Sequence, residues 1–180
     1  EETLVKTYTH FKTKLKIIEI GVCHGATANG MRNFLDKNKI PFEYWGVDNG
    51  RDGKIKVPFE GANLVLGDSA KVYYLVPGKF HFVFIDGSHS SNYTVLDFCN
   101  YGSKLEVGGF ALFHDVSPLV QSLDPGQDPD SPSIPDFAIA VVKGIELLGL
   151  EYRTDWEKVT DVYDENDSLR GGIMVFRRIK

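Results

Sequence analysis

Five short apolar runs, each ending in an acidic residue or glycine, constrain this chain more than any other feature. They are Leu15–Gly21, Glu43–Asp48, Asn63–Asp68, Phe80–Asp86 and Gly109–Asp115. None alternates apolar with polar residues, which is the pattern of strands covered on both faces. Between them lie segments of helical spacing, at 25–37, 70–76, 91–105 and 137–148. Strand and helix repeated in this order predict an α/β fold with a doubly wound, mostly parallel sheet. The tail reads differently. "EYRTDWEKV" and "GGIMVFRRI" flank the polar "YDENDSLRGG", which predicts a hairpin and an antiparallel last strand.

At 180 residues the chain fits one domain, 1–180, with enough length to bury a core. The net charge of −5 argues against a nucleic-acid partner. No apolar run approaches the roughly 20 residues of a membrane span, and no signal-peptide pattern opens the sequence. It begins at Glu1 without a methionine, which predicts a trimmed N-terminus. Cys23 and Cys99 have neither metal-ligand nor disulfide-framework spacing. They read as reduced core thiols of a cytoplasmic protein, a single disulfide being the rival reading. Residues 117–136 carry five of the eight prolines. So long a loop just after a strand end predicts a substrate lid, with a plain insertion as the alternative.

The strand ends carry the chemistry: Glu19 with Gly21, Asp48, Asp68, Asp86, and His114 with Asp115. Ligands of open α/β sheets bind outside those ends. Acidic groups crowded there call for hydroxyls, amines, a sulfonium or a metal, although any one of them could be a helix N-cap. The first turn, "EIGVCHGATANG", lacks the middle glycine of a dinucleotide fingerprint, since Val22 and Cys23 follow Gly21. That turn suits a ligand without a phosphate. An NAD(P)-linked oxidoreductase is disfavoured on the same ground.

With these residues in place, the chain resembles class I S-adenosylmethionine-dependent methyltransferases. Glu19-x-Gly21-x-x-x-Gly25 is similar to their first motif. The resemblance implies that Asp48 grips the ribose hydroxyls and that Asp68 and Ser69 contact the adenine. It implies a Rossmann-like seven-stranded sheet with an antiparallel last strand. Within that superfamily, "FIDGSHS" and "LEVGGFALFHDV" resemble the metal-dependent small-molecule O-methyltransferases, a group that includes catechol and macrocin O-methyltransferases and proteins named as cephalosporin hydroxylases.

That narrower resemblance implies methyl transfer to a hydroxyl of a small molecule. It implies a divalent metal on Asp86, His114 and Asp115, with Asp86 also at the cofactor and His89 as the base. Here the chain departs from the group, whose pair after the fifth strand is usually all-oxygen. Imidazole is a poor ligand for Mg²⁺ and a good one for Mn, Fe or Zn. A different metal, a second base at His114, and no metal at all therefore stay open.

Plainer readings stand beside these. His89 could cap the helix that follows, and His114 could be a satisfied strand-end histidine. His10 reads as a surface residue, His24 as incidental and His81 as structural. Phe110, Phe113 and Tyr93 read as core, and Trp45 as core or cofactor edge. Gly67-Asp68-Ser69 with Asp86-x-x-His89 echoes a serine esterase in the wrong order and spacing. A non-haem metal oxygenase and a non-catalytic cofactor-binding protein complete the alternatives. Homo-oligomerisation is left open.

Overall fold

The computed structural model describes residues 1–50, 55, 57–116, 134–162 and 172–180, with the side chains of 134–139 and 162 outside that description. One seven-stranded sheet organises the chain. Its strands are β1 (Leu15–Ile20), β2 (Phe42–Asp48), β3 (Asn63–Leu66), β4 (Phe80–Ile85), β5 (Leu105–His114), β6 (Trp156–Val162) and β7 (Ile173–Arg178). The order across the sheet is β3-β2-β1-β4-β5-β7-β6. The first five strands are mutually parallel. β7 inserts antiparallel between β5 and β6. Strand order therefore reverses between β1 and β4, the crevice position where open α/β sheets bind ligands.

The helices are α1 (Glu2–Phe11), α2 (Ala26–Lys37), α3 (Ser69–Val72), α4 (Ser91–Tyr101) and α5 (Ile134–Leu148). Apolar side chains leave the sheet on both faces, as the unbroken apolar runs require. One face packs Ile18, Ile20, Val83 and Phe113 under Phe98 and Tyr101 of α4 and Ile145 of α5. The other packs Ile17, Tyr44, Phe82 and Phe84 under Leu4 of α1 and Leu35 of α2. All six residues of β4 are buried, which makes it the sheet's central, driest strand.

Several predicted boundaries move. The helix expected over 70–76 is one α turn followed by a 3-10 turn at Tyr73–Leu75, since Pro77 and Gly78 stop it. The helix expected over 91–105 ends at Tyr101. β5 starts at Leu105 rather than 109, because Leu105 already pairs with Phe80. Most of the predicted lid lies outside the described residues. Its last three residues begin α5, where Pro135 is tolerated in the first turn. The tip of the hairpin at 163–171 is likewise outside them.

Both cysteines are exposed, which corrects the reading of them as core thiols. Cys23 sits in a turn with φ 49, and Cys99 lies on the outer side of α4, next to buried Phe98. No described helix is long and apolar enough to cross a membrane.

Candidate active site

The first turn is built around close backbone packing. Gly21 has φ 89, and its Cα lies so near the Asp86–Gly87 backbone that a Cβ there would overlap the Asp86 carbonyl. Gly21 N–H donates to the Val47 carbonyl at 2.8 Å, and Asp86 N–H donates to that of Ile20 at 2.9 Å. The ends of β1, β2 and β4 are thereby locked together. Gly25, with φ 75, is the N-cap of α2, and a Cβ on it would press against Pro58.

Asp48 holds the turn from the second strand. Its Oδ2 accepts from Cys23 N–H at 2.8 Å, and its Oδ1 accepts from Gly50 N–H at 2.9 Å. Each carboxylate oxygen keeps a further lone pair. A vicinal diol could use both.

Glu19 is 1% exposed and lies beneath this turn. Its Oε2 accepts from the Tyr44 hydroxyl. Burial dominates and pushes the carboxyl pKa up to about 8, with the Tyr44 bond opposing and the charges of Asp86 and Asp48 adding. Glu19 therefore supports the turn from below as a neutral acid. Tyr44 is the partner that sequence reasoning missed, because only the β1–β2 register brings the two together.

Asp68 is an N-cap: its Oδ1 accepts from Ala70 N–H at 3.1 Å. Its Oδ2 pairs with Lys71 Nζ at 3.1 Å and accepts from the Tyr93 hydroxyl at 3.2 Å. Tyr93 is thus half-buried at the site, not in the core, because its ring lies along α4 with the hydroxyl toward Asp68. Phe110 and Phe113 are core residues, 4% and 0% exposed. His81 is buried and accepts from Lys16 N–H at 3.0 Å.

The ends of β4 and β5 are neighbours, and four ionisable groups converge there. His89 Nε2 lies 2.8 Å from Asp115 Oδ2 and 3.6 Å from Asp86 Oδ1. His114 Nδ1 lies 3.1 Å from Asp115 Oδ1 and 3.2 Å from Asp86 Oδ1. Asp115 adopts φ 58, a left-handed conformation that costs a non-glycine residue on the order of 1 kcal/mol or more and is common at functional sites. Ser90, not His89, caps α4, its hydroxyl accepting from Tyr93 N–H at 3.3 Å.

The carboxylates dominate the electrostatics. Asp115 and then Asp86 raise His89 to about 9 against the opposing effect of burial. The same two groups raise His114 to about 10. Asp115 is held far below the usual carboxylate range by the two histidines, although burial alone would raise it. Two carboxylates thus favour the protonated form of His89 in this arrangement.

Asp86, His114 and Asp115 each offer a ligand atom, all within 4.8 Å of one another. His114 Nδ1 is buried among the carboxylates without an aligned hydrogen bond. A set of one imidazole and two carboxylates fits a divalent ion, and fits Mn²⁺, Fe²⁺ or Zn²⁺ better than Mg²⁺. Ser69 lies against Tyr101, which donates to its carbonyl at 2.8 Å. His89 is engaged by Asp115. The two members of the esterase echo thus have different partners.

Over residues 18–116 the sequence matches the family model described as a methyltransferase domain. No curated protein sequence matches it. The fold is similar to the O-methyltransferase TomG from Streptomyces achromogenes, involved in tomaymycin synthesis and solved with SAM. Identity is 15% and TM-score 0.67, over 99% of this chain and 79% of that one. It is similar to the O-methyltransferase from Bacillus cereus in complex with SAH, at 13% identity and TM-score 0.65, over 98% and 80%. The SAH-bound methyltransferase PaMTH1 from Podospora anserina follows, at 16% identity and TM-score 0.63, over 99% and 78%. At these identities the likeness is one of fold.

Proposed function

Since the chain belongs to the methyltransferase-domain family, whose model spans more than half of it, we propose that it transfers a methyl group from S-adenosylmethionine to a hydroxyl of a small molecule, assisted by a divalent metal. One observation carries the reading. Asp86, His89, His114 and Asp115 converge at the ends of β4 and β5, and the glycine turn that would hold the cofactor packs directly on Asp86.

The cofactor supplies an electrophilic methyl on a sulfonium. Asp48 would accept from both ribose hydroxyls with the lone pairs that Cys23 and Gly50 leave free. The turn at Asp68 and Ser69 would flank the adenine. SAM or SAH bound to proteins of similar fold supports S-adenosylmethionine as the cofactor.

Asp86, Asp115 and His114 would hold the metal, whose charge favours the ionised form of a nearby hydroxyl. With both carboxylates committed to a cation, His89 would lose the groups that hold its own proton. It can then take one from the acceptor. The scaffold's main contribution is to fix acceptor and methyl in line. The net charge of −5 favours a small-molecule acceptor over nucleic acid.

A thermal melt with S-adenosylmethionine, and with NAD⁺ in parallel, tests the reading. A ligand at 100 times its Kd adds about 2.7 kcal/mol, or roughly 5–10 °C for a chain of this size. A shift with S-adenosylmethionine alone is expected. A folded chain that shifts with neither ligand, or with NAD⁺, overturns it.

One observation favours a second reading. Two imidazoles beside a carboxylate also form the ligand set of non-haem iron oxygenases. Iron-dependent consumption of O₂ without methyl transfer would select it.

A further inference from the structure

Helix α4 meets the turn after β3 with a single polar stripe. Tyr93, Asp97 and Tyr101 are four residues apart and so lie above one another on one side of the helix. The Tyr93 hydroxyl donates to Asp68 Oδ2, and the Tyr101 hydroxyl donates to the Ser69 carbonyl. Asp97 stands between them. It is 0% exposed, and neither of its carboxylate oxygens has an aligned hydrogen-bond partner among the described residues.

Burial pushes the Asp97 carboxyl up to about 7. The nearby Ser69 hydroxyl pulls it back only in part, and the Asp68 charge adds to the rise. A Cβ on Gly87 would stand 3.4 Å from Asp97 Oδ2. The carboxyl therefore lies near both Ser69, on the proposed adenine side, and Gly87, the residue after Asp86. The next turn of chain after Gly87 carries His89, and α4 itself starts at Ser91.

A carboxyl buried here with so little hydrogen bonding lowers stability, and an apolar residue of similar shape would pack there at less cost. Groups of this kind in folded proteins call for an explanation in function. We propose that Asp97 is a positioning residue for cofactor binding. Its buried carboxyl, beside Ser69, orients that residue on the turn that would flank the adenine. The inference rests on the S-adenosylmethionine reading above.

The test uses the full chain and two readouts, the melting temperature and the Kd for S-adenosylhomocysteine by titration calorimetry. Asp97→Asn keeps the shape and removes the buried acid. Its melting temperature is expected to hold or rise while the Kd weakens about tenfold. Ser69→Ala should weaken binding to a similar degree, and the double variant should bind no worse than the weaker single, as coupled neighbours do.

A lower melting temperature or failure to fold in Asp97→Asn makes the residue an ordinary structural group and overturns the inference. So does an unchanged Kd in a parent chain that binds, or full additivity in the double variant. A folded parent that binds no S-adenosylhomocysteine fails differently. It removes the cofactor reading first, and this inference with it.

Discussion

The carbonyl of Asp86 occupies the place that a side chain on residue 21 would need. The turn after β1 and the turn after β4 are therefore one packed unit. Gly21 also has φ 89, so a side chain there meets both backbone strain and overlap. Gly21→Ala is expected to destabilise the chain by about 2 kcal/mol or more. It should also abolish the melting shift with S-adenosylmethionine. An alanine variant that melts and binds like the parent would show that the two turns are not rigidly packed.

Asp48 serves two backbone N–H groups on different turns. Removing a charged acceptor costs about 1.5–3 kcal/mol. Asp48→Ala should lower stability by that order and weaken S-adenosylmethionine binding at least tenfold, as read by calorimetry. Asp48→Asn, which keeps one acceptor oxygen, should recover part of the stability and little of the binding.

Glu19 links pH to stability. Its carboxyl has an ordinary value of 4.5 and is raised to about 8 in the fold. Between those values the unfolded chain has lost a proton that the folded chain keeps. Stability from this group is therefore full below about pH 4.5 and falls as pH rises toward 8, at up to about 1.4 kcal/mol per pH unit. Glu19→Gln keeps an acceptor for Tyr44 and removes the titration. Denaturant melts from pH 5 to 8 should show a flatter dependence in the variant. Identical slopes in both proteins would mean that Glu19 is charged in the fold.

The proposed metal site predicts an ion preference. Mn²⁺ or Zn²⁺ should raise the melting temperature more than Mg²⁺ does, because one ligand is imidazole. Asp115→Asn should remove most of that shift. A response to Mg²⁺ as large as that to Mn²⁺ would take His114 out of the ligand set.

His89 contacts both carboxylates of the proposed metal site. His89→Ala should leave the Kd for S-adenosylmethionine within about threefold. It should reduce methyl transfer to a hydroxyl acceptor by about 10²–10⁴, the usual contribution of a positioned base. Loss of cofactor binding instead would give His89 a different role.

The sequence by itself determined the strands and what stands at their ends. Apolar runs long enough to cross a sheet, with Gly21, Asp48, Asp68, Asp86 and Asp115 after them, are local patterns. A strand between two helix layers must be apolar throughout, and its C-terminal end must meet solvent or ligand. Only the tertiary structure decided which of these groups touch. Tyr44 meets Glu19 across 25 residues of sequence, and His89 meets Asp115 because β4 and β5 are neighbours. Register and strand order are set by the packing of the whole sheet. The same packing shifted the titrations: burial raised Glu19, and two carboxylates raised His89. Spacing gave no warning that Asp97, one acid among many, would be buried beside Ser69.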